Sequence, residues 1–132
     1  MPVCLIDAAA GIQLDAKQKL VERVSAALDQ AYHLDDCRVF IREHQRESVG
    51  QDRRVPAEAI KPVCSLEVPP RLSIDRKRKM MAEITEAVAL AWQVERADVL
   101  VLLREYPFEN VAANGLLQAE NPDFPESLKA AR

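Results

Sequence analysis

The chain repeats itself. Pro2-Val3-Cys4 returns as Pro62-Val63-Cys64, sixty residues later. The same offset aligns Leu14-Asp15 with Ile74-Asp75, Lys17 with Lys77, Lys19 with Lys79, Ala27 with Ala87, Ala31 with Ala91 and Tyr32 with Trp92. After a slip of two residues, Arg42-Glu43 returns as Arg104-Glu105. Such a repeat constrains a fold more than local propensity does, because whatever one copy forms, the other forms too. A length of 132 residues suits one domain made of both copies. We divide it into units at residues 1–54 and 61–115, with a C-terminal tail at 116–132.

Each copy reads as strand, helix, strand. Val3-Cys4-Leu5-Ile6 is an apolar run of strand length, and its counterpart sets Val63, Ser65 and Val68 around Cys64 and Leu66. Asp15 and Asp75 stand where acids favour the exposed amides of a helix start. Leu20, Val21, Val24, Ala27, Leu28 and Ala31 then recur at helical spacing, as do Met80, Met81, Ile84, Ala87, Val88, Ala91 and Trp92. Second strands are predicted at Cys37–Ile41 and Val99–Leu103, rich in β-branched and large apolar residues. A strand, a crossover helix and a parallel strand make a right-handed βαβ unit. Two units predict an α/β (α+β) fold, a four-stranded sheet with two helices on one face. The other face would then be bare. Yet Val99-Leu100-Val101-Leu102-Leu103 is apolar on both sides, the pattern of a strand buried on both faces. Another copy of the chain is the expected cover. The polar stretch Glu47–Ile60 connects the units, and the Pro-rich tail from Gln118 suits wrapping a neighbour or staying partly mobile.

Composition narrows the partners. The chain is 48% hydrophobic and 30% charged, with a net charge of −3 and both signs interspersed. Neither nucleic acid nor an anionic membrane is an expected partner. No apolar run approaches the ~20 residues of a membrane span, and the N-terminus lacks the features of a secretory signal. Cys4, Cys37 and Cys64 are odd in number, without a CxxC or a His-rich cluster. No disulfide framework and no metal site are expected, and a reducing cytoplasm fits best. Three glycines provide no phosphate-cradling loop.

Pro2 carries the chemistry of the sequence. Trimming of Met1, which a small second residue permits, would leave the Pro2 nitrogen as a secondary amine with a free lone pair. An α-amino group titrates near ~8, and a low-polarity or cationic setting lowers that. A base or acid poised near neutrality would then stand at the start of a strand. Pro62, in the same local sequence, is internal, so its nitrogen is an amide without useful basicity.

A βαβ repeat that starts at an N-terminal proline resembles the tautomerase superfamily, with its tautomerase/MIF-like fold. The resemblance covers Pro2 to Gly115. It rests on three local features. Pro2 is followed by a strand and Gly11. Arg38-Val39-Phe40-Ile41-Arg42-Glu43 is similar to the arginine-bearing second strand of 4-oxalocrotonate tautomerase. The run Arg104-Glu105-Tyr106-Pro107-Phe108-Glu109-Asn110-Val111-Ala112-Ala113-Asn114-Gly115 resembles the segment closing the second unit of the cis-3-chloroacrylic acid dehalogenases. The two-unit members also include the malonate semialdehyde decarboxylases, and they assemble as trimers.

The resemblance implies a cofactor-independent isomerase, a homotrimer, acting on a small carboxylate substrate, with Pro2 as its catalytic residue. Arg71, after Pro69-Pro70 at the end of a strand expected beside that of Pro2, is the first candidate for carboxylate binding. Arg38, Arg42 and Arg104 are further candidates, and Tyr106 and Phe108 are candidate pocket walls. Asp36 and His44 are possible acid/base groups, Asp36 matching a decarboxylase aspartate by its spacing to His44. Departures also carry information. Ile12 stands where 4-oxalocrotonate tautomerase has a substrate-binding arginine. Leu102 and Ala113 stand where the dehalogenases carry a water-activating tyrosine and glutamate, and Val68 replaces one arginine of a pair. Adding water is therefore disfavoured. The readings left open are a tautomerase with Pro2 as base, a lyase of the decarboxylase, dehalogenase or hydratase type with protonated Pro2, and a catalytically silent trimeric binding module.

Overall fold

The computed structural model describes residues 1–34 and 36–123; the end of the predicted tail, residues 124–132, lies outside the described residues. Strand β1 (Val3–Ala9), helix α1 (Leu14–Tyr32) and strand β2 (Arg38–His44) are followed by β3 (Val63–Val68), α2 (Ile74–Trp92) and β4 (Leu100–Glu105). A small hairpin of β5 (Ala112–Ala113) and β6 (Leu116–Leu117) comes after them. Both helices have 19 residues and start at the expected positions, with Asp15 and Asp75 in their first turns. Ser73 caps α2 by accepting a bond from the Arg76 amide.

Both second strands run past their predicted ends, to His44 and Glu105. The cause is charge pairing across the sheet and to the helices. Arg42 points to the bare face and meets Asp7, while Glu43 points inward and meets Lys17. In the second unit Arg104 faces Glu67 and Glu105 meets Lys77. Strand pairing thus continues through residues whose polarity reads as the start of a loop.

The sheet order is β2-β1-β3-β4. β1 lies parallel to β2 and β3 parallel to β4, while β1 and β3 are antiparallel. Leu5 pairs with Ser65, its own counterpart in the repeat, so a local two-fold axis passes between them. One consequence positions the site. The start of β1 lies beside the ends of β3 and β4, which we term the Pro2 end. The start of β3 lies beside the ends of β1 and β2, the Pro62 end.

Cys4, Ile6 and Ala8 from β1, with Cys64, Leu66 and Val68 from β3, pack against Leu20, Val24, Leu28 and Tyr32 of α1 and Met80, Ile84 and Val88 of α2. Val68 therefore joins Cys64 and Leu66 on the inner face instead of alternating with them. The neighbouring Cys64 thiol, with burial after it, pushes the Cys4 thiol far up in pKa. Both are buried core residues. Ile84 is fully enclosed between the layers. Ile84→Ala is expected to lower the unfolding free energy by about 2–5 kcal/mol, read from urea midpoints, with a loss under ~1 kcal/mol incompatible with this packing. Among the described residues no helix is long and apolar enough to cross a membrane.

Candidate active site

Pro2 is fully buried at the start of β1, beneath Met1. Its carbonyl accepts a bond from the Arg38 amide at 3.1 Å, and Pro62 repeats this bond with Leu100. The amino group of Met1 donates to the Asp36 carbonyl at 2.9 Å and lies 3.7 Å from the Asp36 carboxylate. At the Pro62 end the same place is filled by Lys61, whose Nζ lies 3.8 Å from Asp98. The two ends of the sheet are thus built alike down to an ammonium on an aspartate.

Their differences are confined to a few positions. The register at the Pro2 end sets Arg38, Val3, Glu67 and Arg104 in one row across the bare face. The corresponding row at the other end reads Leu100, Val63, Asp7 and Arg42. Arg38 therefore replaces a leucine. Its Nε lies 3.7 Å from the Asp36 carboxylate. The loop after β3 carries a second difference. Arg71 occupies the place of Gly11, and both are left-handed, at φ 66° and φ 111°. That backbone costs a residue with a side chain about 1–2 kcal/mol, so an arginine there is held by its surroundings. Its amide donates to Glu105 Oε2 at 2.8 Å, and its guanidinium lies 6.0 Å from the Phe108 ring centroid, within cation–π range. Phe108 itself is buried.

Arg104 sits at the rim of this end. It lies 3.9 Å from Glu67, and the Tyr106 hydroxyl first and the Glu67 carboxylate after it raise its pKa further above neutrality. The sequence reading missed Glu67. One of its carboxylate oxygens is buried without a hydrogen-bond partner among the described residues. Its only sequence signal was an acid at an outward position of an apolar strand.

The candidates divide between the two ends. Pro2, Asp36, Arg38, Arg71, Arg104, Tyr106 and Phe108 gather at the Pro2 end. Arg42 and His44 do not. Arg42 Nη2 donates to Asp7 Oδ2 at 2.6 Å, and His44 Nε2 lies 2.8 Å from Asp7 Oδ1. Burial acts to raise the Asp7 pKa, but these two hydrogen bonds outweigh it and the net shift is downward. Asp7 stands five residues beyond Pro2, about 17 Å at strand rise. Arg42 and His44 therefore sit at the Pro62 end of their own chain.

No curated protein matches the chain in sequence. Residues 63–121 match the sequence profile of the family described as Tautomerase enzyme. Among solved structures, a native fused 4-OT superposes with a TM-score of 0.81 at 18% identity, covering 89% of this chain and 96% of that one. A wild-type fused 4-OT symmetric trimer gives 0.78 at 21% identity with the same coverage. N1, a member of the cis-3-chloroacrylic acid dehalogenase (cis-CaaD) family, gives 0.78 at 17% identity, covering 96% of this chain and 95% of that one. These likenesses establish the fold of both units together, and the family match rests on the second. Profile and fold agree with the tandem βαβ repeat and the strand-initial Pro2: the second unit matches the Tautomerase enzyme family, and the chain as a whole has the fold of the fused 4-OT structures.

Proposed function

We propose that this protein, once Met1 is removed, is a cofactor-independent tautomerase that uses Pro2 as general base on a small enol or 2-oxo carboxylic acid, and that it works as a homotrimer. One observation carries the reading: the local two-fold builds two equivalent sheet ends, and the end with Pro2 holds Arg38 and Arg71 where the other has Leu100 and Gly11. Enol-to-keto isomerisation needs one group to move a proton between oxygen and carbon, and cations to hold the carboxylate and polarise the keto oxygen. Arginines near the Pro2 amine disfavour its charged form and so lower its pKa toward the working pH. They also bind a 2-oxo acid through paired, charge-assisted hydrogen bonds. Arg71 is the carboxylate clamp of this proposal. Tyr106 and Phe108 wall the pocket. The trimer follows the fused 4-OT relative that is itself a symmetric trimer.

A second reading has its own observation. Asp36 lies beside the chain's amino group, and a carboxylate there favours a protonated Pro2. A protonated Pro2 with Asp36 suits a lyase of the decarboxylase type.

The two readings separate by pH. Intact mass first establishes loss of Met1; retention removes any Pro2 amine from the chemistry. Ketonisation of phenylenolpyruvate is then followed from pH 5 to 9. A kcat/KM that rises through the Pro2 pKa is the expected result. A rate that falls through it assigns the acid role and favours the lyase. Binding of 2-oxo acids with no turnover at any pH makes the chain a silent binding module.

A further inference from the structure

The loop that carries Arg71 is held by a device outside the pocket. Glu105 uses both carboxylate oxygens: Oε2 accepts from the Arg71 amide at 2.8 Å, and Oε1 accepts from Lys77 Nζ at 2.5 Å. Lys77 stands in the first turn and a half of α2, so the helix, the end of β4 and the loop are tied at one carboxylate. The Lys77 ammonium first, and the Arg71 amide after it, hold the Glu105 carboxyl below the usual carboxylate range.

The repeat provides a comparison inside the molecule. The first unit has the same ion pair, Lys17 with Glu43. Its loop also turns through a positive φ, at 111° against 66°, with Gly11 at the position of Arg71. A Cβ placed at Gly11 would meet nothing within 4 Å. The backbone at φ 111°, and not lack of room, is what calls for a glycine there. The two loops share a frame, and only the one at the Pro2 end presents a guanidinium.

We infer that Glu105 is the positioning residue of the substrate clamp: braced by Lys77, it holds the strained turn that fixes the Arg71 guanidinium over Phe108 at the Pro2 end. This inference rests on the tautomerase reading for its substrate, and on geometry alone for the loop. Glu105 touches no reacting atom. Its effect passes through Arg71, so it governs affinity for the substrate carboxylate more than turnover.

The test uses five variants of the full chain with Met1 removed: Glu105→Ala, Glu105→Gln, Arg71→Ala, the double variant of Glu105→Ala with Arg71→Ala, and Glu43→Ala. For phenylenolpyruvate, Glu105→Ala is expected to raise KM about tenfold with kcat within about twofold. The double variant should resemble Arg71→Ala alone, because removing a brace has no effect once the braced group is gone. Glu43→Ala removes the equivalent ion pair and should leave KM unchanged. Glu105→Gln, which keeps an acceptor for the amide, should recover part of the loss. Additive effects in the double variant, or a KM shift in Glu43→Ala as large as in Glu105→Ala, would overturn the inference. Amide hydrogen exchange separates this failure from failure of the functional reading. If the wild type ketonises nothing, the tautomerase reading falls. The Arg71 amide should still exchange faster in Glu105→Ala and not in Glu43→Ala, and equal protection in all three proteins sinks the positioning role.

Discussion

Pro2→Ala should reduce kcat/KM for phenylenolpyruvate ketonisation by about 10²–10⁴-fold, the range of a positioned general base. The variant is informative because it does not abolish the amine. Alanine at the second position still permits loss of Met1, and the new N-terminus is a primary amine. What disappears is the pyrrolidine ring, which ties the nitrogen back to its own side chain and so aims the lone pair, and which is fully buried at the start of β1. The internal control is Pro62→Ala. That ring is also fully buried at the start of a strand, but its nitrogen is an amide. Pro62→Ala should match Pro2→Ala in lost stability and leave kcat/KM within about twofold, well below the factor of ten that 1.4 kcal/mol represents. Equal rates for wild type and Pro2→Ala would remove Pro2 from the chemistry. Equal losses in the two variants would trace the effect to packing.

The sixty-residue offset made the helices legible. Equivalent residues start and end α1 and α2, and even their left-handed C-caps, His33 and Gln93, are sixty apart. Periodicity set Cys64 and Leu66 on one face of β3 but put Val68 on the other, where the structure turns all three inward. The site was legible only in part. Arg38 and Arg42 belong to one strand and read as one cluster, but the rise of an extended chain separates them by about 13 Å. They face the same side toward opposite ends, one beside Val3 and the other beside Asp7. Glu67 and Glu105 were invisible for a related reason. Each acquires its meaning from a partner on another element, Arg104 for Glu67 and the Arg71 amide for Glu105. The register that brings them together is not written in local sequence. One signal did exist: the offset that aligns Lys17 with Lys77 also sets Arg71 on Gly11, and an arginine on a glycine marks a left-handed turn under load.

Leu102→Asp should convert the proposed trimer into monomers. Leu102 stands in the central row of the bare face, with Phe40, Leu5 and Ser65. Leu102 is 51% exposed and Phe40 52%, with Leu100 at 52% in the next row. An aspartate at Leu102 costs the isolated chain little, since that side chain is half in water already. Covered by a second copy, the same carboxylate would be buried among leucine and phenylalanine without a cation, a cost of several kcal/mol for each copy. Association between copies is the step that absorbs the whole penalty. Light scattering at micromolar concentration should therefore fall from about three chain masses to one, with the helical circular dichroism unchanged. Leu90→Asp is the matched control. Leu90 is equally exposed, 52%, but lies on α2, in the helix layer that covers the opposite side of the sheet. It should leave the mass alone. If Leu102→Asp remains fully associated, the bare sheet face is not the interface, and the trimer must be held elsewhere. If it becomes monomeric yet keeps full kcat/KM, the Pro2 end is complete within one chain and needs no residue from a second copy.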